Sequence, residues 1–256
     1  MPVDIKMRVI SVDKISAGFT LLKLSPVDTT LPDSIMPGQF VQVDIPDSKT
    51  TFLRRPISVC NIEAGCLWLL VRDAGAGTNR LVNSRSGDIY DIILPLGHGF
   101  TLSENHKRAL LTGGGVGVAP LLFLGKTLSA KGVDVTFLIG ARNKDSLLIV
   151  NHLIKYGKVF ISTDDGSAGT PGTVMANPIL QKSFDMIYSC GPTPMMHAIA
   201  DYAQARGTEC EVSLENMMAC GLGACLCCVE DTADSGNVCV CKEGPVFNIK
   251  RLKWNH

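Results

Sequence analysis

The sequence predicts an all-β N-terminal region, then an α/β region with a parallel sheet, and finally a small cysteine-rich module. Residues 1–102 contain short β-branched runs separated by turn residues. Residues 103–208 alternate apolar strands with helices, and residues 209–256 are rich in Cys and Gly. We therefore place two domain boundaries, one at each change of pattern.

The strands of the first region are short, and Pro, Gly, Asp or Asn separates most of them, as at Pro37-Gly38 and Gly87-Asp88. Many short strands with frequent turns are typical of an antiparallel barrel or sandwich. The predicted strands are Met7–Ile15, Phe19–Leu24, Phe40–Ile45, Ile57–Cys60, Cys66–Val71 and Ile89–Leu94.

The α/β region begins with a short apolar strand, Arg108–Thr112, that leads through a glycine-rich turn into a predicted helix, Leu121–Ala130. Alternation of buried strands and helices favours a parallel sheet with helices on its faces. The other predicted elements are strands at Val133–Gly140, Val159–Ser162 and Met186–Ser189 and a helix at Pro194–Arg206.

The composition excludes several classes of protein. With 46% hydrophobic and 19% charged residues, the chain is not disordered. Lys+Arg and Asp+Glu number 24 each, so net charge favours neither a nucleic acid nor an anionic membrane as partner. Apolar runs such as Val118–Leu124 are far shorter than the roughly 20 residues that cross a bilayer. Residues 1–10 lack the apolar core of a signal peptide, so we expect a cytoplasmic location.

Six of the ten cysteines lie in one short stretch near the C-terminus. Cys220, Cys225 and Cys228 have the C-x4-C-x2-C spacing of plant-type [2Fe–2S] proteins, and Cys241 adds a thiolate from a separate segment. A small residue such as Gly221 lets the loop wrap closely around a cluster. These four cysteines are the predicted metal ligands.

Two alternatives remain open at this point. Cys239 lies two residues before Cys241, and spacing alone does not decide between them. Four thiolates can also hold a structural Zn²⁺. Zinc sites more often use paired C-x2-C knuckles, and only one such pair is needed here, so the [2Fe–2S] interpretation is favoured.

The sequence predicts a nucleotide site at two turns, Gly113–Gly117 and Cys190–Pro192, because each turn joins an apolar strand to a helix. Glycines let the backbone approach a pyrophosphate, and a helix N-terminus favours its negative charge. Ligands of open parallel sheets bind at the carboxyl ends of strands, where both turns would lie. Cys190 is either close to a nicotinamide ring or a small buried thiol. The predicted nucleotide-binding residues are Gly113, Gly114, Gly115, Gly117, Cys190, Gly191 and Pro192.

The chain contains the motifs Arg55-Pro56-Ile57-Ser58, Gly75-Ala76-Gly77-Thr78, Gly113–Pro120 and Cys190–Met196. Their order resembles that of the ferredoxin–NADP⁺ reductase superfamily, in which a flavin-binding barrel precedes a nucleotide domain. The C-terminal cysteine loop and the run Cys241–Phe247 narrow this resemblance to the electron-transfer subunits of dihydroorotate dehydrogenases of type B. The resemblance covers almost the whole chain.

The resemblance implies an antiparallel barrel that binds FAD. Arg55 would contact the FAD pyrophosphate as a fixed cation, and Ser58 would lie near N5 of the flavin. Gly77 and Thr78 would hold phosphate through backbone amides and a hydroxyl. Superfamily members usually have an aromatic residue at the position of Ile57, so aliphatic packing replaces ring stacking in this chain. The implied FAD-binding residues are Arg55, Pro56, Ile57, Ser58, Leu70, Val71, Arg72, Gly77 and Thr78.

The resemblance further implies FAD, a [2Fe–2S] cluster and NAD as cofactors, and it favours Cys241 over Cys239. Electrons would run from the FMN of a catalytic dihydroorotate dehydrogenase subunit, which oxidises dihydroorotate to orotate in pyrimidine biosynthesis, through the cluster and FAD to NAD⁺. The assembly would be a heterotetramer with two copies of each subunit. A flavin exchanges electrons singly and in pairs, so it is the required converter between cluster and nicotinamide.

No catalytic acid or base is expected in this chain, and the cysteine-rich segment with Met217 and Met218 is expected to contact the partner.

Two other functions remain open as alternatives. One is a reductase subunit of a ferredoxin-linked transhydrogenase, hydrogenase or sulfite reductase. The other is a non-catalytic redox sensor or a zinc-stabilised interaction module.

Overall fold

The computed structural model describes residues 1–46 and 51–254. Within these residues, the fold consists of two seven-stranded sheets and one two-stranded sheet. No helix in this part of the chain is long and apolar enough to span a membrane.

The first sheet is antiparallel throughout, which confirms the predicted all-β first region. The elements of this first region are β1 (Val3–Ser16), β2 (Phe19–Pro26), β3 (Phe40–Val43), β4 (Arg55–Ser58), β5 (Asn61–Glu63), β6 (Cys66–Arg72), helix α1 (Ala76–Val82) and β7 (Ile89–Leu96). The strand order is β4-β3-β7-β1-β2-β6-β5.

Alternate residues of these strands form the core of the first sheet. Met7 and Val9 of β1 and Leu22 and Leu24 of β2 are buried together. Side chains in a strand point to opposite faces in turn, so these residues share one face of the sheet and form its apolar core.

The second sheet has the order β11-β10-β9-β8-β12-β13-β16. Its first six strands are parallel, and β16 is antiparallel to β13, so the predicted parallel α/β region is confirmed. The remaining elements of the chain are β8 (Arg108–Gly114), α2 (Val118–Ala130), β9 (Asp134–Ala141), α3 (Val150–Leu153), β10 (Lys158–Thr163), β11 (Thr170–Pro171), β12 (Met186–Cys190), α4 (Thr193–Ala205), β13 (Glu209–Ser213), β14 (Val229–Thr232), β15 (Gly236–Cys239), α5 (Val240–Glu243) and β16 (Val246–Asn248).

Helix α2 packs closely on the second sheet because Gly125 leaves room for an aromatic ring. A Cβ at Gly125 would lie 2.3 Å from Cζ of Phe137 on β9. Consecutive residues Leu110 and Leu111 of β8 are both buried, as expected for a strand covered on both faces. This packing fixes the start of α2 over the carboxyl edge of the sheet.

The C-terminal module leaves the second sheet after β13, forms the cysteine loop and the β14–β15 hairpin, and returns as β16. The predicted boundary after residue 208 precedes β13, so strands from both sides of that boundary share this sheet. The proposed domain limits remain a prediction.

The module also contacts the first sheet. The His98 N–H donates to the Gly244 carbonyl at 2.6 Å, and His98 Nδ1 lies 2.7 Å from the Lys242 carbonyl oxygen. Phe40 of β3 belongs to the same apolar cluster as Cys228 and Cys241. The cysteine module therefore lies against both sheets.

Candidate functional site

Two adjoining cavities, each of about 350 Å³, lie between the first sheet and the carboxyl edge of the second. The sheet-edge cavity is bounded by the turns after β8 and β12, and the barrel cavity is bounded by β4 and β6. The residues that line both cavities are Arg72, Val116, Leu214, Glu215 and Asn216. A ligand in one cavity would therefore be next to a ligand in the other.

The two turns of the sheet-edge cavity touch each other, and only glycine fits at the contact. A Cβ at Gly117 would lie 2.3 Å from the Cys190 carbonyl oxygen, and a Cβ at Gly191 would lie 2.9 Å from the Gly114 nitrogen. Gly115 has a φ of +55° and open space beside it. Helices α2 and α4 both begin here, so their N-terminal dipoles favour an anion in this cavity.

The predicted glycines differ in what they do. Gly114, Gly115 and Gly117 line the sheet-edge cavity together with Gly191 and Pro192. Gly113 does not line this cavity. It faces helix α2 instead, since a Cβ at Gly113 would lie 2.8 Å from Cδ1 of Leu121. Gly113 thus permits close packing of the helix that the other glycines help to position.

Cys190 is located behind the cavity wall. Cys190 is 1% exposed and does not line either cavity. Burial raises the pKa of the Cys190 thiol, so it is neutral at physiological pH. Its predicted approach to a nicotinamide ring stays a prediction.

The barrel cavity contains most of the residues that the resemblance assigned to the flavin. Pro56, Ile57 and Ser58 of β4 line it, as do Leu70 and Arg72 of β6. Val71 points to the opposite face of β6 and is buried in the core of the first sheet, so only its backbone is available to a ligand.

Arg55 lies over the first turn of helix α1. A Cβ at Gly77 would lie 2.3 Å from Arg55 Nε, so glycine is what allows the arginine to sit there. Within residues 1–46 and 51–254, no salt bridge involves Arg55. The Thr78 hydroxyl accepts from the Ala74 N–H at 2.8 Å and donates to the Gly75 carbonyl at 3.1 Å. Arg55 and the backbone amides of this turn thus form a cationic cradle that suits a phosphate.

Glu215 is a charged residue that the sequence interpretation missed. It follows β13 at the carboxyl edge of the sheet, and it lines both cavities. Desolvation by burial raises the pKa of its carboxyl, and the positive charge of Arg72 offsets part of this shift. Its position directly after a parallel strand was a usable signal, since ligands bind at such strand ends.

Trp254 also lines the sheet-edge cavity without having been predicted. Its ring stacks on His197 of α4, with centroids 4.1 Å apart and planes 14° apart. No motif surrounds Trp254, so only the folded chain brings it to the cavity.

The cysteine loop directs backbone amides at sulfur atoms. The Leu222 N–H donates to Cys220 Sγ at 3.3 Å, and the Gly223 N–H donates to Cys241 Sγ at 3.1 Å. The Cys241 N–H donates to Cys228 Sγ at 3.3 Å. Such bonds stabilise thiolates, which are the form that binds iron.

The four predicted ligands interact in two groups, and Cys239 joins one of them. Cys220 interacts with Cys225, and Cys228 interacts with both Cys241 and Cys239. No group of three or more His, Cys, Asp or Glu side chains in the described ranges could hold one metal ion. Two cysteines per iron is the arrangement that a two-iron cluster requires, and Cys220 with Cys225 and Cys228 with Cys241 could supply it.

Cys220 and Cys241 differ in their electrostatic surroundings. The Leu222 N–H and the other loop amides lower the pKa of the Cys220 thiol to about 6. Burial, together with the hydrogen bond to Cys228, raises the pKa of Cys241 to about 12. A bound cation would have to drive the deprotonation of Cys241. The Cys239 thiol instead donates to the Gly223 carbonyl, at 3.7 Å.

The two sheets and their adjoining cavities define a flavin- and nicotinamide-dependent oxidoreductase of the ferredoxin reductase class. An NADH-dependent reduced ferredoxin–NADP oxidoreductase of known structure is 28% identical, has a TM-score of 0.85, and aligns with 97% of this chain and 90% of its own. A cytochrome P450 reductase from Amycolatopsis shares the fold, with a TM-score of 0.68 over 80% of this chain and 66% of its own at 21% identity.

Sequence comparison identifies the family within that class. Residues 215–253 match the iron-sulfur cluster binding domain of dihydroorotate dehydrogenase B. The dihydroorotate dehydrogenase B (NAD(+)) electron transfer subunit of Bacillus cereus strain B4264 is 36% identical over 95% of this chain and 97% of its own length. The corresponding subunit of Geobacillus thermodenitrificans is 41% identical over 82% of this chain and 84% of its own. The chain belongs to this family of electron transfer subunits, which confirms the predicted resemblance.

Proposed function

We propose that this chain carries electrons between the FMN of a dihydroorotate-oxidising partner subunit and NAD⁺, by way of a [2Fe–2S] cluster and FAD. The observation that supports this most strongly is the continuity of the three sites. The two cavities share five lining residues, and Met217 and Met218 of the barrel cavity lead directly to Cys220. Short separations of this kind are what an electron-transfer chain needs.

FAD fits the barrel cavity and the cradle beside it. Arg55 and the amides around Gly77 and Thr78 would bind the pyrophosphate, since the cation has no salt-bridge partner among the described residues. Ser58 would face the ring, and Ile57 would pack against it. Bound FAD supplies the exchange between paired and single electrons.

NAD fits the sheet-edge cavity. The backbone of Gly114 and Gly115 and the N-termini of α2 and α4 would hold its pyrophosphate. Gly117 and Gly191 keep the two turns in contact, so they position the site rather than only bind in it. The shared wall would align the nicotinamide with the flavin, and hydride transfer needs this alignment more than it needs a proton acceptor.

Cys220, Cys225, Cys228 and Cys241 are the proposed ligands of the [2Fe–2S] cluster. The three amide-to-sulfur bonds support this set. Cys239 is the weaker candidate, because it acts as a donor to a carbonyl while Cys241 accepts from an amide.

The exposed apolar side chains of the cysteine loop are the proposed contact with the FMN-containing catalytic subunit. Met217 is 83% exposed and Leu226 is 66% exposed, and Leu222 is exposed between them. Exposed apolar groups beside a redox centre suit a partner surface. We also propose a cytoplasmic location, a heterotetramer with two copies of each subunit, and domains at 1–102, 103–208 and 209–256.

An anaerobic absorption spectrum of the purified protein, before and after addition of NADH, tests this function. We expect flavin bands together with the broad visible absorbance of a [2Fe–2S] cluster, and bleaching of both by NADH. Flavin bands alone, with zinc bound, would refute the cluster assignment. A colourless protein would favour the sensor or interaction-module alternative. Co-purification with an Fe–S-rich subunit instead of an FMN subunit would favour another ferredoxin-linked complex.

A further inference from the structure

Gln42 is a buried polar residue whose side chain is unpaired in the described part of the chain. It lies on β3, is 0% exposed, and neither Oε1 nor Nε2 has a hydrogen-bond partner. Buried side-chain amides in native proteins nearly always have partners, so an unpaired one points to a bound group or ion.

The outward face of β3 is covered by the cysteine module. Val41 and Val43 point into the core of the first sheet, so Phe40 and Gln42 point to the opposite face. Phe40 packs in the same apolar cluster as Cys228 and Cys241. Gln42 therefore faces the cysteine module rather than the core of its own sheet.

The side chain of Gln42 lies directly against the cysteine loop. A Cβ at Gly221 would be 2.8 Å from both Cγ and Nε2 of Gln42. Gly221 follows Cys220, the first proposed cluster ligand. Any larger residue at position 221 would push the amide away from the loop.

Gln42 also adjoins the barrel cavity. It is the cross-strand partner of Pro56, which lines that cavity, as does Phe40 on the same face of β3. The amide thus stands in the wall between the proposed flavin site and the proposed cluster site. Of the buried side chains without a hydrogen-bond partner among the described residues, Gln42 is the one that a Cβ on a glycine of the cysteine loop would meet.

We propose that Gln42 is a positioning residue for the [2Fe–2S] cluster, whose amide N–H donates a hydrogen bond to sulfur on the Cys220 side of the site. This inference rests on the proposed function. A donor to cluster sulfur stabilises the additional negative charge of the reduced state, so it raises the reduction potential. In this position Gln42 helps the cluster to accept the electrons that it then passes towards the flavin.

The test is a redox titration of the holoprotein, followed by electron paramagnetic resonance, for the wild type and Gln42→Leu. Leucine has a similar size and no donor. We expect a negative shift of the cluster potential that corresponds to as much as a tenfold change in the reduction equilibrium, or ~59 mV for one electron. The FAD potential should not move. Ser11→Ala is the matched control, because Ser11 Oγ is also buried and unpaired but lies on β1, which β7 separates from β3.

Each outcome decides the inference. An unchanged cluster potential in Gln42→Leu, with full iron and sulfide content, overturns it. If Gln42→Leu does not assemble the cluster, Gln42→Met, which keeps the unbranched shape, replaces it with the same expected shift. Loss of the cluster in both variants with FAD retained supports a positioning role. Loss of FAD and of the fold in both overturns it, since the role is then structural. A wild type without the paramagnetic signal refutes the proposed function instead.

Discussion

Substitution of Gly77 by alanine should separate FAD binding from fold stability. Gly77 lies in the first turn of α1, and its Cβ would come within 2.3 Å of Arg55 Nε and 3.1 Å of Cδ and Cγ. The backbone of Gly77 is helical, so alanine adds no strain and stabilises a helix by up to about 1 kcal/mol. The arginine side chain would move instead of the helix.

Displacement of Arg55 removes its charge-assisted bonds to the proposed pyrophosphate. Such a bond contributes about 1.5–3 kcal/mol, which is roughly a tenfold to hundredfold loss of affinity. We therefore expect Gly77→Ala to bind FAD roughly 10- to 100-fold more weakly, while the thermal stability of the flavin-free protein is unchanged or higher.

Fluorescence titration of the flavin-free protein with FAD measures this loss, and a double-mutant cycle with Arg55→Ala assigns its cause. If both changes act through the same guanidinium, the double variant should bind FAD no more weakly than Arg55→Ala alone. Wild-type affinity in Gly77→Ala, or fully additive losses, would refute the cradle.

Three other predictions concern separate parts of the molecule. Burial raises the pKa of Glu215 in the folded state, so its contribution to stability is present below its ordinary pKa of 4.5 and is lost as pH rises through the folded-state pKa. Glu215→Gln should therefore raise the melting temperature of flavin-free protein at neutral pH but not below pH ~4, and equal shifts at both would contradict this. Gly125→Ala should destabilise the fold by about 1–3 kcal/mol in urea unfolding, because the methyl group would overlap the Phe137 ring, and no loss would contradict that packing. Cys241→Ser should lose the cluster and Cys239→Ser should keep it, as iron and sulfide analysis would measure, and the reverse result would reassign the fourth ligand.

Local patterns in the sequence predicted the elements that depend on neighbouring residues. The period-two runs predicted the strands of the first sheet, and the spacing of Cys220, Cys225 and Cys228 indicated the iron-sulfur region that the family match covers. The glycines after β8 predicted a turn at the sheet edge. These features arise from side-chain direction and backbone freedom, which act over a few residues.

Features that depend on distant residues were not predictable in the same way. The antiparallel return of β16 beside β13 joins segments separated by the whole cysteine loop. Trp254 reaches the sheet-edge cavity only because the chain end folds back onto α4. The close approach of Gln42 to Gly221 likewise requires the first sheet and the cysteine module to be in contact. None of these contacts has a local sequence signal.

The different parts played by Gly113 and Gly115 show the same limit within one motif. The sequence assigned both to nucleotide binding, yet a Cβ on Gly113 would meet α2 while Gly115 opens into the cavity. A glycine in a sequence indicates close packing or a positive φ. Only the folded structure shows which neighbouring residue requires the glycine.

In the proposed function, the cluster of this chain connects oxidation of dihydroorotate to reduction of NAD⁺. The most direct test is anaerobic NADH formation by the purified complex after addition of dihydroorotate, for the wild type and for Cys228→Ser. The proposal predicts NADH formation in the wild type. It predicts none in the variant, whose partner should still pass electrons from dihydroorotate to an artificial acceptor. NADH formation at the wild-type rate in the Cys228→Ser complex would contradict the account.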